Sequence, residues 1–327
     1  MCPTKQESAN SAYQICSETA QDVASDDWRH EAINGGSLRH VDLDTGSNGW
    51  ASPPGDLFQL RGKTFFSKRQ KSPGGDWLLK PAGVDWLRSS ARLDHVLARS
   101  DNRIASALRR AQSARRSLKS FIFAVNLQVP GRDHHSAVFY FATDDPIPPD
   151  SLFYRFVHGD DSFRNARFKI VNRIVKGPWI VKAAVGNYAA CLLGRALTCR
   201  YHRGENYLEI DVDIASSAIA NAILHLALGY VTAVTIDMGF VVEAVEEEEL
   251  PERLLGAVRV AQMEMGSATV VEAAEGEAVL GAVTAGGGKG KGKGCCHRGF
   301  SKVNHHGRGR EAEDGGHGKE ASGNGTR

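Results

Sequence analysis

The stretch of sequence that decides the fold runs from Phe121 to Thr143 and reads FIFAVNLQVPGRDHHSAVFYFAT. Apolar residues occupy every second position as far as Val129, while Asn126 and Gln128 lie on the opposite face of the same run. A Pro-Gly-Arg-Asp turn follows, and the returning run is apolar on both of its faces. Because such a run is typical of a strand covered on both sides, the stretch predicts a β-hairpin with its second strand inside the protein.

A second hairpin is predicted over residues 196–214. Gly204 begins its two-residue loop, as a type II′ turn requires. This loop places Arg200 opposite Glu209, and the opposite face of the first strand is predicted to be buried; it consists of Leu197, Cys199 and Tyr201. A slip of one residue would exchange the two faces, so the pattern indicates a well-specified register.

The chain after this hairpin predicts two helices and a strand. Residues 216–228 form an apolar helix that begins at a serine cap, with Asn221 and His225 as a polar pair on one side. Its composition predicts a buried helix. Residues 231–242 alternate as a strand, and residues 251–263 are typical of a closing amphipathic helix.

Composition divides the chain into three parts. Residues 1–55 and 273–327 are rich in Gly, Ser, Asn and charge and are predicted to be disordered, while residues 56–272 form one domain. The predicted fold class is α+β, with a curved antiparallel sheet of six or more strands and the buried helix on one face. A START-like helix-grip arrangement, in which such a sheet wraps a helix and leaves an apolar cavity, fits this pattern.

Positive charge is concentrated in a few segments, although the formal net charge is only +2. Residues 88–119 contain nine Lys or Arg against two Asp, and residues 289–310 contain seven basic residues and no acid. A third strand, over 167–175, presents three cations on one face. Such surfaces favour phosphate-bearing partners. The candidate contacts for anionic lipid are Arg61, Lys63, Arg109, Arg110, Arg115, Arg116, Arg167, Lys169 and Arg173.

Localisation is predicted from hydropathy and from the cysteines. No apolar run is long enough for a signal peptide or a membrane anchor. The six cysteines have no disulfide-framework spacing, which favours a reducing, intracellular compartment. We expect a cytoplasmic protein with peripheral membrane association. Cys295 and Cys296, in a basic Gly-rich tail, are candidate acylation sites.

Catalytic motifs are missing from the sequence. Neither Gly-x-Ser-x-Gly nor His-Glu-x-x-His occurs, and no dinucleotide fingerprint follows a strand. We therefore expect no enzyme activity, catalytic residue, cofactor or metal. A carboxylate ladder, Glu209, Asp211 and Asp213, is predicted on an exposed strand face, with Arg200 and Thr198 as partners across the hairpin.

Two alternative functions remain open. The first is an enzyme built on a polar cluster of His158, Asp160, Asp161 and His225. The second is a nucleic-acid binder that uses residues 88–119. The absence of aromatic residues for base stacking in the dense cationic part of this segment makes nucleic acid an unfavoured partner.

Several long runs resemble one plant protein family. They are SFIFAVNLQVPG (120–131), LFYRFVHGD (152–160), NARFKIVNRIVKGPWIVK (165–182) and the segments 207–214 and 225–242. They are similar to the C-terminal domain of the Enhanced Disease Resistance 2 proteins, and the resemblance extends over roughly residues 57–272.

The resemblance implies a regulatory rather than an enzymatic role. Larger members of the family carry a pleckstrin-homology domain and a START lipid-binding domain upstream, and they are regarded as membrane-associated negative regulators of defence-linked cell death. We expect this chain to be too short to contain those domains. The resemblance therefore implies a lipid- or membrane-interacting regulatory module of plant cells. The Arg-dense residues 109–116 and the Gly/Lys/Cys tail do not resemble the family.

Overall fold

Two six-stranded sheets and eight helices make up the part of the chain that the structure, a computed structural model, describes: residues 28–113, 120–186 and 188–272. The helices are α1 (Trp28–Asn34), α2 (Phe65–Lys68), α3 (Arg103–Ser113), α4 (Leu152–His158), α5 (Asp161–Arg167), α6 (Trp179–Val185), α7 (Leu193–Ala196) and α8 (Ala218–Gly229). The strands are β1 (Arg39–His40), β2 (Gly49–Ala51), β3 (Gln59–Arg61), β4 (Lys71–Pro73), β5 (Lys80–Ser89), β6 (Phe121–Val129), β7 (His134–Thr143), β8 (Phe168–Lys176), β9 (Tyr188–Leu192), β10 (Thr198–Arg203), β11 (Tyr207–Asp213), β12 (Thr235–Val242), β13 (Leu254–Ala261) and β14 (Thr269–Val270).

The strand order of the first sheet is β1-β2-β13-β12-β8-β9, and that of the second is β10-β11-β6-β7-β5-β14. Strands β3 and β4 form a separate two-stranded hairpin. Pairing is antiparallel except between β1 and β2, β6 and β11, and β5 and β14. The predicted α+β class is confirmed, and the β6–β7 hairpin pairs as the sequence indicates. The strands are divided between two sheets where one was expected.

Aromatic side chains join the inner faces of the two sheets. The ring of Phe240 on β12 lies 5.9 Å from Phe139 and 5.7 Å from Phe141 on β7, measured between centroids. Phe168 on β8 stacks on the same ring at 6.1 Å. Gly256 on β13 lies against the Phe141 ring, where any Cβ atom would overlap it. These contacts form the centre of the main core.

The outer face of the second sheet is covered by α1 and α3. Ile104, Leu108 and Ala111 on α3 are buried together with Trp28 on α1 against the small and aromatic residues of β6 and β7, among them Tyr140. Strand β7 is therefore covered on both faces, as its continuous apolar pattern predicts.

The fold begins before the predicted boundary at residue 56. Residues 28–55 form α1, β1 and β2, and they bury Trp28, Leu38 and Trp50 in the core. Their sequence shows no regular spacing of apolar residues, because each element contributes only a few side chains to the core. The predicted disorder is wrong for this stretch. Residues 1–27 and 273–327 lie outside the described residues.

The β10–β11 hairpin has a different register from the predicted one. Arg200 lies opposite Asp211, and His202 lies opposite Glu209. A shift of two residues keeps every side chain on its own face, so the alternation of faces could not distinguish the two registers. Gly204 is needed because the ring of Tyr207 packs where its Cβ would be. The loop is Glu205-Asn206, closed by the N–H of Gly204 donating to the carbonyl of Tyr207 at 3.0 Å.

The predicted apolar face of this hairpin is only half-buried: Leu197, Cys199 and Tyr201 pack at the edge of the main core. Burial raises the pKa of the Cys199 thiol to about 12, which keeps that cysteine protonated and unreactive.

Two predicted features of the C-terminal third differ in the structure. Helix α8 begins at the Ser217 cap as expected, but none of its residues is buried, so the predicted burial of this helix is wrong. Residues 251–263 were expected to form a helix and instead contain strand β13, because both faces of that strand are covered. Among the described residues no helix is long and apolar enough to cross a bilayer.

Candidate functional site

The β3–β4 hairpin carries the densest group of exposed cations in the described chain. Between Arg61 and Gly75 the sequence has five basic residues and no acid. Four of the five are exposed, and no ion pair joins any of these four to a described residue; they are Lys63, Lys68, Arg69 and Lys71. We call these four residues the basic hairpin tip. Unpaired cations in this density make a surface for phosphate groups.

Two phenylalanines lie among these cations. Phe65 and Phe66 on α2 are half-buried, with ring centroids 5.9 Å apart. The guanidinium groups of Arg61 and Arg69 lie over the Phe65 ring at 4.8 Å and 5.7 Å. A cation beside an aromatic ring keeps its charge available to solvent while its stem covers apolar surface. The tip therefore combines charge with apolar area.

Local hydrogen bonds fix the shape of the tip. The N–H of Gly62 donates to the carbonyl of Gln70 at 3.1 Å, and Thr64 and Gln70 are linked by their side chains at 3.0 Å. Helix α2 ends at Arg69, which has a left-handed backbone with φ of 55°. This conformation turns the chain sharply into β4, so the cations are held on one short loop.

Arg61 fastens the hairpin to the first sheet instead of joining the exposed cations. Its backbone N–H donates to Glu252 at 3.1 Å, and its guanidinium donates to the carbonyl of Ala244 and pairs with Glu243 at 3.1 Å. Of the two predicted lipid contacts in this region, Lys63 is exposed and Arg61 is committed to these bonds.

The predicted cationic face of β8 is not a free surface. Lys169 is 5% exposed and pairs with Glu243 and Glu252, while Arg167 is 8% exposed and pairs with Glu249. Arg173 donates two hydrogen bonds to the buried Asp237, at 2.7 Å and 3.0 Å. All three side chains are held in ion pairs with carboxylates, so β8 does not present the free cationic face expected of it.

Burial opposes the ionisation of Glu249, which pairs with Arg167, but hydrogen bonds outweigh it. The backbone N–H of Val245 and the Arg167 guanidinium together lower the pKa of this carboxyl group. Glu249 therefore stays ionised well into the acid range and continues to neutralise Arg167.

The remaining predicted lipid contacts are divided between the surface and the undescribed chain. Arg109 is exposed on α3 and donates to Ser106, and Arg110 pairs with the exposed Glu31. Arg115 and Arg116 lie outside the described residues, as do the candidate acylation sites Cys295 and Cys296.

Two of the three residues in the carboxylate ladder of β11, Glu209 and Asp211, are buried, contrary to their predicted exposure, and Asp213 is half-buried. Glu209 accepts hydrogen bonds from the backbone N–H groups of Val96 and Leu97 at 2.6 Å and 2.9 Å. Asp211 accepts from the backbone of His95 at 2.9 Å and contacts the His202 ring at 2.8 Å. The two carboxylates hold the loop after β5 on the sheet. Sequence reasoning missed this because backbone donors leave no mark in the side-chain pattern.

The His95 and His202 rings are stacked beside this ladder, with centroids 4.3 Å apart. Burial and the neighbouring His202 lower the pKa of His95. No set of three or more His, Cys, Asp or Glu side chains in the described ranges is placed to hold a metal ion. In this cluster Glu209 and Asp211 accept hydrogen bonds from the backbone of residues 95–97, and these bonds position that loop.

A pH dependence follows from the burial of Glu209. Burial and the nearby Asp211 carboxylate raise the pKa of Glu209 to about 8, compared with ~4.3 for a free glutamate. The proton on Glu209 stabilises the folded protein. This stabilisation is fully present below the pKa of Glu209 in the unfolded chain, and it is lost as the pH rises toward about 8. We expect the wild type to lose stability relative to Glu209→Gln by up to ~1.4 kcal/mol per pH unit over this range, measured by urea unfolding.

Glu205→Gln is the control for this measurement, since Glu205 is exposed on the same hairpin. It should keep the wild-type pH profile. If Glu209→Gln also keeps that profile, Glu209 is ionised in the folded protein at neutral pH and the assignment is wrong.

The residues proposed for an enzyme site are held by local contacts. His158 contacts the carbonyl of Tyr154 at 3.0 Å, and Asp160 caps α5 by accepting from Phe163. Asp161 pairs with Arg164 in the next turn of α5. His225 is exposed on α8, and no contact between described residues links it to the other three.

Most cations of the basic segment 88–119 are also paired with acids where the structure describes them. Arg92 pairs with Asp94 and Asp213, Arg99 with Asp101, and Arg103 with Asp85. Most of these cations stabilise the fold, and residues 114–119 lie outside the described ranges.

The comparisons with known proteins identify the family. The family model described as Protein ENHANCED DISEASE RESISTANCE 2, C-terminal, matches residues 50–264. A protein of Arabidopsis thaliana named Protein ENHANCED DISEASE RESISTANCE 2-like is 46% identical over 235 residues, which are 72% of this chain and 31% of that relative. The chain thus spans less than a third of that relative's length. No solved structure matches. The resemblance noted in the sequence is confirmed, and the chain belongs to the Enhanced Disease Resistance 2 C-terminal family.

Proposed function

We propose that this protein is a non-enzymatic regulatory module that docks on anionic membranes through the basic hairpin tip. Family membership fits a plant defence-related regulatory protein. The finer role, reversible attachment to the cytoplasmic face of a membrane, rests on the structure of the tip. A cell-death regulator that must reach a membrane would need a surface of this kind.

One observation carries the proposal: two half-buried phenylalanines lie on one fixed loop among four exposed cations that form no ion pair with a described residue. Elsewhere in the described chain most of the predicted cationic contacts are paired with carboxylates. Cations attract anionic headgroups over about a Debye length, and aromatic rings favour the membrane interface. Both kinds of side chain are present at the tip.

The same observation favours a membrane over nucleic acid. Phe65 and Phe66 meet edge to face, and two arginines cover the Phe65 ring, so the pair does not form an open platform for bases. The non-enzymatic part of the proposal is supported by the engagement of the histidines and acids described above in structural hydrogen bonds.

Vesicle co-sedimentation tests the proposal. We compare vesicles of phosphatidylcholine alone with vesicles that also contain phosphatidylserine, at low and at high salt. Each basic side chain near an anionic surface contributes about 1 kcal/mol, reduced by salt screening. Replacing all four residues of the basic hairpin tip by Gln should therefore lower partition into anionic vesicles on the order of tenfold to a hundredfold at low salt.

A charge-matched variant is the control. It removes four other exposed cations, with Lys80, Arg132, Lys176 and Arg203 each replaced by Gln. This variant has the same net charge as the first and should keep most of the binding. Equal losses in the two variants would mean that net charge alone acts, and equal partition of the wild type into neutral and anionic vesicles would overturn the proposal.

A further inference from the structure

An apolar cavity of about 180 Å³ lies at one end of the space between the two sheets. Its walls come from both sheets and include Trp86, Phe139, Ile236 and Met238. Among the described residues that line it, Asp85 alone is charged, and that carboxylate is already bound to Arg103 and to the N–H of Ser37. A polar or charged group placed here would lose its hydration without gaining a partner. The chemistry of the walls therefore selects a hydrocarbon.

Two apolar helices form the roof of this cavity. Val181 and Val185 from α6 and Leu224, Ala227 and Leu228 from α8 line it. Helix α8 is almost entirely apolar, yet none of its residues is buried. An apolar helix normally gains its stability by packing in a core. Here it forms a loosely packed cover over a half-open cavity.

Exposed apolar side chains surround the same roof. In the described ranges six large apolar residues are exposed, and four of them lie on or next to α6, β9 and α8: Trp179 at 79%, Ile219 at 76%, Tyr188 at 64% and Tyr230 at 39%. Scattered single exposures are ordinary, but a group at one opening marks a site of interaction. These four side chains lie on or next to the helices that roof the cavity, and we call them its rim.

We propose that this cavity binds the hydrocarbon tail of a lipid, with an acyl chain entering beneath α6 and α8 and its polar headgroup left at the rim. An apolar cavity of ~150 Å³ is large enough to hold a benzene-sized ligand, so this one accepts a short length of chain without rearrangement. The site is separate in sequence from the basic hairpin tip, and the inference does not rest on membrane docking.

Isothermal titration calorimetry with decanoate, below its aggregation concentration and without vesicles, tests the inference. Decanedioate is the matched ligand, because it has the same chain length and a carboxylate at both ends. We expect saturable binding of decanoate at a single site. Decanedioate should bind at least about tenfold more weakly, because one of its charges would have to enter the apolar walls.

Variants that fill the cavity complete the test. Ala227→Phe from the roof and Ala137→Leu from β7 should each weaken decanoate binding by about tenfold or more, with unchanged melting temperature. Ala222→Phe is the control, since Ala222 is exposed on α8 and does not line the cavity. It should bind as the wild type does, within about twofold.

If Ala227→Phe does not fold, Ala137→Leu decides. Wild-type protein that shows no saturable decanoate binding would overturn the inference, as would undiminished binding by a folded cavity-filling variant. Neither result bears on the vesicle experiment, because the basic hairpin tip is intact in every protein used here.

Discussion

Replacing Asp237 by Ala should destabilise the protein by ~3–5 kcal/mol, the usual cost of leaving a buried charge without its partner. Asp237 on β12 is fully buried between Arg173 on β8 and Arg259 on β13. Arg259 is itself 4% exposed, so removing the carboxylate leaves a guanidinium inside the protein, with the carbonyl of Leu43 as an acceptor and the exposed Asp44 carboxylate 3.9 Å away. Urea unfolding at neutral pH measures the loss.

Asp101→Ala provides the matched comparison. Asp101 accepts two hydrogen bonds from Arg99, at 2.7 Å and 2.8 Å, but its side chain is half exposed to solvent. Surface pairs of this kind contribute at most about 1 kcal/mol. Similar losses for the two variants would show that the three charges of the Asp237 cluster are solvated rather than buried.

Replacing Phe240 by Ala should cost ~3–5 kcal/mol, as large-to-small changes of buried aromatics do. Phe240 is fully buried and contacts Phe139, Phe141 and Phe168, so its removal leaves a cavity at the junction of the two sheets. Because Gly256 already lets the Phe141 ring approach β13 closely, the surrounding backbone has little freedom to close that gap. Denaturant unfolding monitored by circular dichroism is the measurement.

Phe66→Ala serves as the control for this core substitution. Its ring is half-buried on α2, outside the main core, and its removal should cost much less than that of Phe240. An equal cost for both would mean that the two sheets do not share one aromatic core.

The parts of the fold that the sequence predicts well are those whose pattern depends on nearby residues. The β6–β7 hairpin has a local turn and two unlike apolar patterns, and the structure has it as expected. Helix α8 was recognised from its cap and its apolar run. Its exposure could not be predicted, because that depends on which distant strands leave the end of the sandwich open.

The failures at the candidate sites have one physical cause, which is that their partners are remote in the chain. The three cations of β8 look free because the acids that neutralise them, such as Asp237 and Glu252, follow more than sixty residues later. Glu209 looks exposed because the groups that bind it are backbone amides of another loop. The basic hairpin tip does have a signal in the sequence, because the fourteen residues from Gly62 to Gly75 contain no acid. Within this run, Lys63 alone is a predicted lipid contact.

The segment that the family model matches is shorter than the segment that the structure describes. The family match begins at residue 50 and ends at residue 264, whereas Trp28 covers the second sheet and Leu38 is a wall of the apolar cavity. Strand β14 also lies beyond the match and pairs with β5. A fragment trimmed to residues 50–264 would lose α1 from the outer face of the second sheet and Leu38 from the wall of the cavity. Recombinant work on this protein should therefore set the boundaries of a fragment by the burial of residues such as Trp28 and Leu38 rather than by the extent of the family match.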